Sequence, residues 1–164
     1  MTRQFTQTGL WALVCLVTLL PATSPAQSNS VREEWLASYH HFGAAAAMTY
    51  PFEEFGDNYN TGFGLHGLVD YPLISFLHLI ADIGWNHFPG ENSVESVDIF
   101  NLAGGAKIAL GAFFMGGEVG YFTNVEEVSW IPSIGVRPGN WEVALRIKAV
   151  GSGSWTTLRV GYYF

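Results

Sequence analysis

The chain is 164 residues long, with 14 acidic and 7 basic side chains and a formal net charge of −7, a balance that argues against nucleic-acid binding, which needs a basic face to displace counterions. Charged residues make up 13% and aromatics 15%, the reverse of a disordered composition. Mean hydropathy is positive, yet beyond the first 26 residues no apolar run approaches the roughly 20 residues of a membrane helix; a chain this apolar and this interrupted fits a membrane β-barrel.

The N-terminus reads as a secretory signal peptide over residues 1–26, ahead of one barrel domain over 27–164. Arg3 supplies a positive charge, Gly9 to Leu20 an apolar core, and Ser24-Pro25-Ala26 the small residues of a cleavage site after Ala26. The single cysteine, Cys15, lies inside the apolar core and is preceded by Val14, where a lipoprotein signal wants a small residue. The mature chain therefore has no disulfide and no thiol chemistry.

Residues 27 to about 38 are polar and read as a periplasmic lead-in. Eight alternating segments follow, at roughly 40–52, 60–71, 75–88, 97–110, 112–123, 128–138, 141–150 and 155–164. The connections after the even segments are turn-like: Asp70-Tyr71-Pro72, Gly111-Ala112 and Arg137-Pro138-Gly139-Asn140. Of those after the odd segments, Glu53 to Asn58 and Pro89 to Val97 are longer and acidic. Asn124 to Val128 is shorter but carries Glu126 and Glu127, and Gly151 to Ser154 is short and flexible in composition. Short periplasmic turns and longer outer loops are the outer-membrane pattern.

Alternation separates two faces. In 141–150, Trp141, Val143, Leu145, Ile147 and Ala149 oppose Glu142, Ala144, Arg146, Lys148 and Val150. In the last segment Leu158, Val160, Tyr162 and Phe164 oppose Trp155, Thr157, Arg159 and Gly161. Elsewhere Ala103 and Gly105 travel with Lys107, Gly116 and Gly120 with Glu118, and Gly62 and Gly64 with His66. Small residues suit the crowded concave side of a narrow barrel, so the charged face is the lumen and the bulky apolar face meets lipid. Lys107, Arg137, Arg146, Lys148 and Arg159 are then expected to pair with Asp82, Glu118 and Glu142 as a structural network filling the lumen. Tyr50, Phe52, Trp85, Phe88, Phe100, Trp130, Trp141, Trp155, Tyr162 and Phe164 lie near strand ends and are expected to form the interfacial girdles.

The run Leu158-Arg159-Val160-Gly161-Tyr162-Tyr163-Phe164, aromatic at its end and apolar at alternate places before it, resembles the C-terminal signal by which outer-membrane barrels are recognised for insertion. Pro132 to Arg137 and Trp141 to Arg146 are similar to the closing strands of small outer-membrane barrel domains of the OmpA-transmembrane and outer-membrane-protein-X type. The resemblance implies assembly by the barrel insertion machinery, through Leu158, Val160, Tyr162 and Phe164, and residence in the bacterial outer membrane. It does not fix a function, since one barrel hosts many.

Candidate chemistry is sparse. Some small barrels of this size are lipid deacylases with a His-x-Ser-Asn pattern; none of His40, His41, His66, His78 or His87 is followed by serine two places on. Ser75, His78 and Asp82 come nearest to a triad in sequence, but residues three apart on a strand point to opposite faces. His78 and Asp82 share the lumen side and are expected to form an interior pair. His40 and His41 point to opposite faces and cannot chelate one ion. Acids in or beside the outer loops (Glu53, Glu54, Asp57, Glu91, Glu95, Asp98, Glu126, Glu127) offer oxygens that suit divalent cations bridging to lipopolysaccharide phosphates, though solvated loops are the simpler expectation.

The sequence therefore predicts an all-β, eight-stranded antiparallel transmembrane β-barrel with short periplasmic turns. The expected protein is a monomer in contact with outer-membrane lipid and lipopolysaccharide, without catalytic residues, metal or cofactor, and with a structural or surface-interaction role. Three other readings stay open: a narrow conduit for small solutes, an enzyme acting on outer-leaflet lipid, and a soluble lipocalin-like binder of an apolar ligand.

Overall fold

A computed structural model of the protein describes residues 41–91, 93–123, 127–150 and 153–164. The signal peptide with its Ala26 cleavage site, Cys15, the lead-in, His40 and Glu126 lie outside the described residues. The strands are β1 (Phe42–Phe52), β2 (Gly62–Ile74), β3 (Leu77–Phe88), β4 (Val97–Leu110), β5 (Phe113–Phe122), β6 (Glu127–Val136), β7 (Trp141–Val150) and β8 (Gly153–Tyr163), with a one-turn helix α1 (Glu53–Gly56) after β1. Each strand pairs antiparallel with its neighbour in sequence, and β1 pairs with β8 from Gly43↔Tyr163 to Phe52↔Ser154, closing the barrel. Closure leaves no sheet edge, the condition for strands in lipid. Ten residues tilted about 45° rise roughly 24 Å, close to the height of the apolar band of such barrels.

The faces are those of a barrel immersed in lipid. Ile83 and Leu102, side by side on β3 and β4, are 65% and 64% exposed, whereas Arg146 and Lys148 are 0% exposed. Exposed Met48, Leu65, Leu79, Met115, Val119, Ile134, Leu145 and Leu158 continue the apolar surface around the barrel. A soluble eight-stranded barrel inverts this arrangement.

The β2–β3 connection departs from the sequence expectation. The chain does not turn at Asp70-Tyr71-Pro72; β2 runs on to Ile74 and the turn is Ser75-Phe76. Proline is tolerated there because β1 has ended. Asp70 N–H donates to the carbonyl of His41 at 2.8 Å, so Pro72, two residues on, directs its missing N–H to a side where, among the described residues, no strand continues. The ladder absorbs the proline with a register shift between Pro72 and Ile74. The other two tight turns form as expected, with Gly111 and Gly139 both at φ 65°, the left-handed conformation that glycine adopts without strain.

Lumen glycines make room for the polar side chains. A Cβ at Gly84 would run into the His66 ring and the Asn101 amide. Gly104, on the outer face, has only the Ile80 carbonyl oxygen, at 3.9 Å from such a Cβ. Gly84→Ala is expected to cost roughly 1–3 kcal/mol by overpacking, and Gly104→Ala to be near neutral. Urea titrations of the folded barrel in vesicles check the pair.

Candidate functional site: a polar barrel lumen

The lumen holds one continuous chain of ion pairs. Asp82 on β3 lies at its centre: its Oδ2 accepts from Arg146 at 3.0 Å and Arg159 at 2.7 Å, and its carboxylate also pairs with His66 Nδ1 at 3.1 Å and with the Asn101 amide. Arg146 reaches Glu118 at 2.7 Å, and Arg159 reaches Glu142 at 2.8 Å. Glu142 accepts further bonds from Lys107 at 3.1 Å and from the Tyr163 hydroxyl at 3.2 Å. Lys107 also pairs with Asp70, which binds Arg137 at 2.6 Å and His78 at 2.7 Å. Fork-shaped guanidiniums shared between two carboxylates are the geometry for which arginine is suited.

Of the sequence-predicted set, Asp82, Lys107, Glu118, Arg137, Glu142, Arg146 and Arg159 are brought together in this network. Lys148 is not. Its ammonium is fully buried without a hydrogen-bond partner, 5.1 Å from the centre of the Phe122 ring and 5.8 Å from that of Trp155. Asp70, read as a turn residue, is instead the acid that anchors the turn end of the network. Parity carried the signal for it: Leu65, Gly67, Val69, Tyr71 and Leu73 keep alternating outward past the proline. The expected His78–Asp82 pair does not form. Residues four apart on a strand are about 13 Å apart, and each finds a partner on or toward the adjoining strand instead, His78 with Asp70 and Asp82 with His66. Ser75 is exposed in the β2–β3 turn, away from both.

At the opposite, long-loop end lies a buried aromatic cluster. Phe88, Phe122 and Trp155 are buried together with Ile99 and Ile131. Two of these residues were expected in the lipid-facing girdle. Phe88 and Trp155 point inward because they keep the parity of Asn86 and Thr157 on their own strands; strand parity outweighs the usual preference of end-of-strand aromatics for the interface. Helix α1 lays Phe55 on this cluster, its ring centre 5.0 Å from that of Phe88 and 5.3 Å from that of Trp155. The first and second outer loops hold this cover in place: Asn60 N–H donates to Pro89 O at 2.8 Å and Glu91 N–H to Asn58 O at 2.9 Å.

Within the network a cavity of about 10 Å³ bordered by Asp82, Lys107, Glu118, Glu142 and Arg159 has room for about one water. Among the described residues no three His, Cys, Asp or Glu side chains are grouped to hold a metal ion. On the outer surface His87 pairs with Asp98 at 2.9 Å, and Trp85 Nε1–H donates to the same carboxylate at 3.1 Å. Leu158, Val160, Tyr162 and Phe164 all face outward and are exposed.

No family model matches this chain, and no curated protein sequence does. Solved structures do match. The crystal structure of Ail, the attachment invasion locus protein of Yersinia pestis, aligns at a TM-score of 0.50 and 12% identity over 76% of this chain and 97% of that one. The KdgM porin in complex with disordered oligogalacturonate aligns at a TM-score of 0.37 and 12% identity over 74% of this chain and 99% of that one. The likeness to Ail is one of fold: a closed, small antiparallel barrel.

Proposed function

We propose that the protein is an integral outer-membrane barrel of the OmpA-transmembrane or outer-membrane-protein-X type. Its role is structural or surface-interacting, its lumen is plugged, and it has no catalytic function. One observation supports the reading: among the described residues, interlocked ion pairs pack the turn half of the lumen and buried aromatics its loop half. A conduit needs a continuous wetted path, and two loops hydrogen-bonded over Phe55 oppose one. The imidazoles of His66, His78 and His87 are each engaged by a carboxylate, which favours fixed packing over turnover. In this reading a signal peptide is removed near Ala26, and the insertion machinery engages the strand bearing Leu158, Val160, Tyr162 and Phe164. The monomer then sits in outer-membrane lipid with its acidic loops beside lipopolysaccharide.

Cell fractionation, gel mobility before and after boiling, and planar-bilayer recording test it in turn. The expected results are an outer-membrane fraction, a heat-dependent mobility shift and no conductance above the bare bilayer. Steady ohmic conductance would replace the plug with a conduit. A soluble fraction without a mobility shift would overturn the membrane reading.

A further inference from the structure

The ion network leaves one cation over. Among the described lumen side chains the acids are Asp70, Asp82, Glu118 and Glu142, and every one of them is engaged by Lys107, Arg137, Arg146 or Arg159. Lys148 is the fifth base. Its ammonium has no hydrogen-bond partner and is 0% exposed. The residue beside it in register, Trp155, is 1% exposed, and its indole N–H is a second buried donor without an acceptor. The Nε of Arg146, two residues before Lys148 on the same face, is a third. Ring faces attract the ammonium, but a cation–π contact returns less than the burial of an ion costs. A locus with an unpaired buried ammonium beside a buried indole N–H that lacks an acceptor is suited to a negative guest.

We propose that Lys148 and Trp155 form a binding site for a small monovalent anion, chloride, enclosed between the aromatic plug and the ion network. The proposal rests on the closed lumen described above, because an open, wet channel would solvate Lys148 without a bound ion. The donors are one ammonium and one indole, and Phe122 and Trp155 supply apolar walls. Such a site suits a weakly hydrated halide and rejects sulfate or phosphate, whose second charge has no counterpart there. The guest balances the charge of the described lumen side chains, which makes it a structural ion.

Ligand binding to the folded state alone stabilises it in proportion to occupancy. A site with a Kd of roughly 10 mM raises the folded-to-unfolded ratio about tenfold at about 100 mM chloride. The test uses the full chain extracted in detergent, with sodium chloride exchanged for sodium gluconate at fixed ionic strength. The fraction retaining folded gel mobility is followed on heating. Chloride is expected to raise the midpoint and to saturate. In Lys148→Met the chloride effect vanishes, while the midpoint in gluconate rises, since no unpaired charge remains. Identical wild-type midpoints in the two salts, or an undiminished chloride effect in Lys148→Met, overturn the proposal. Saturable bromide quenching of tryptophan fluorescence, lost in Trp155→Phe, decides the matter should Lys148→Met fail to fold, and unsaturable quenching overturns it. Conductance and mobility report separately on the plugged barrel, so failure of the anion site leaves that reading standing, and failure of the plug is seen on its own.

Discussion

Asp82→Ala is expected to be among the most damaging single substitutions in the barrel, at about 3–5 kcal/mol. The carboxylate is 2% exposed and is the one acid shared by Arg146 and Arg159. Without it two buried guanidiniums keep one carboxylate each, Glu118 at 2.7 Å and Glu142 at 2.8 Å, and His66 and Asn101 lose an acceptor. The penalty comes from stranding charge, not from losing a favourable pair, because burying the ions costs about as much as their attraction returns. Two comparisons separate these terms. Asp82→Asn keeps the shape and one acceptor oxygen and should cost less. A triple replacement of Asp82, Arg146 and Arg159 by apolar residues of similar volume, with Glu118→Gln and Glu142→Gln, should recover much of the loss. Asp57, exposed in the first outer loop, provides a control whose removal stays within about 0.5 kcal/mol. The measurement is urea unfolding in lipid vesicles, read by gel mobility. Against a typical total stability of about 5–15 kcal/mol, a loss below about 1 kcal/mol for Asp82→Ala would show that the network is wet and screened.

The faces of this barrel were legible in the sequence because alternation has a period of two and tolerates no drift. Once Glu142, Arg146 and Lys148 share a side, so does every second residue of β7, and the small residues beside the charges tell which side is concave. Tight turns at Gly111 and Gly139 were legible for an equally local reason, a backbone conformation that few other residues accept. Pairings inside the lumen were not. Asp70 was hidden by Pro72, whose effect depends on where the neighbouring strand ends, a property of the assembled sheet. His78 and Asp82 lie close in sequence, but strand rise separates them and the adjoining strands supply their partners. Phe88 and Trp155 have the composition of a girdle and the parity of a plug. Five bases of lumen parity were visible in the sequence, yet only the three-dimensional pairing singles out Lys148 as the base left over.

Leu102→Arg is expected to cost about 2–4 kcal/mol, and Leu110→Arg about 0–1 kcal/mol, although the two leucines are 64% and 63% exposed. Both lie on the outer face of β4, with the same parity and nearly the same solvent-accessible fraction. They differ in depth. Leu102 sits beside Ile83 and Tyr121, inside the apolar band, while Leu110 is the last residue of β4 before the turn at Gly111. An arginine at Leu110 can extend its guanidinium past the end of the strand to the headgroups; one at Leu102 must carry its charge through hydrocarbon or deform the bilayer around it. In water the distinction disappears. A soluble barrel with the same exposed residues would accept either arginine within about 0.5 kcal/mol, and removing an apolar surface residue would improve its solubility. The difference between the two variants therefore measures the solvent that the outer face meets. Refolding both proteins into vesicles and comparing their urea midpoints with wild type gives that difference directly, and equal midpoints would place this face in water.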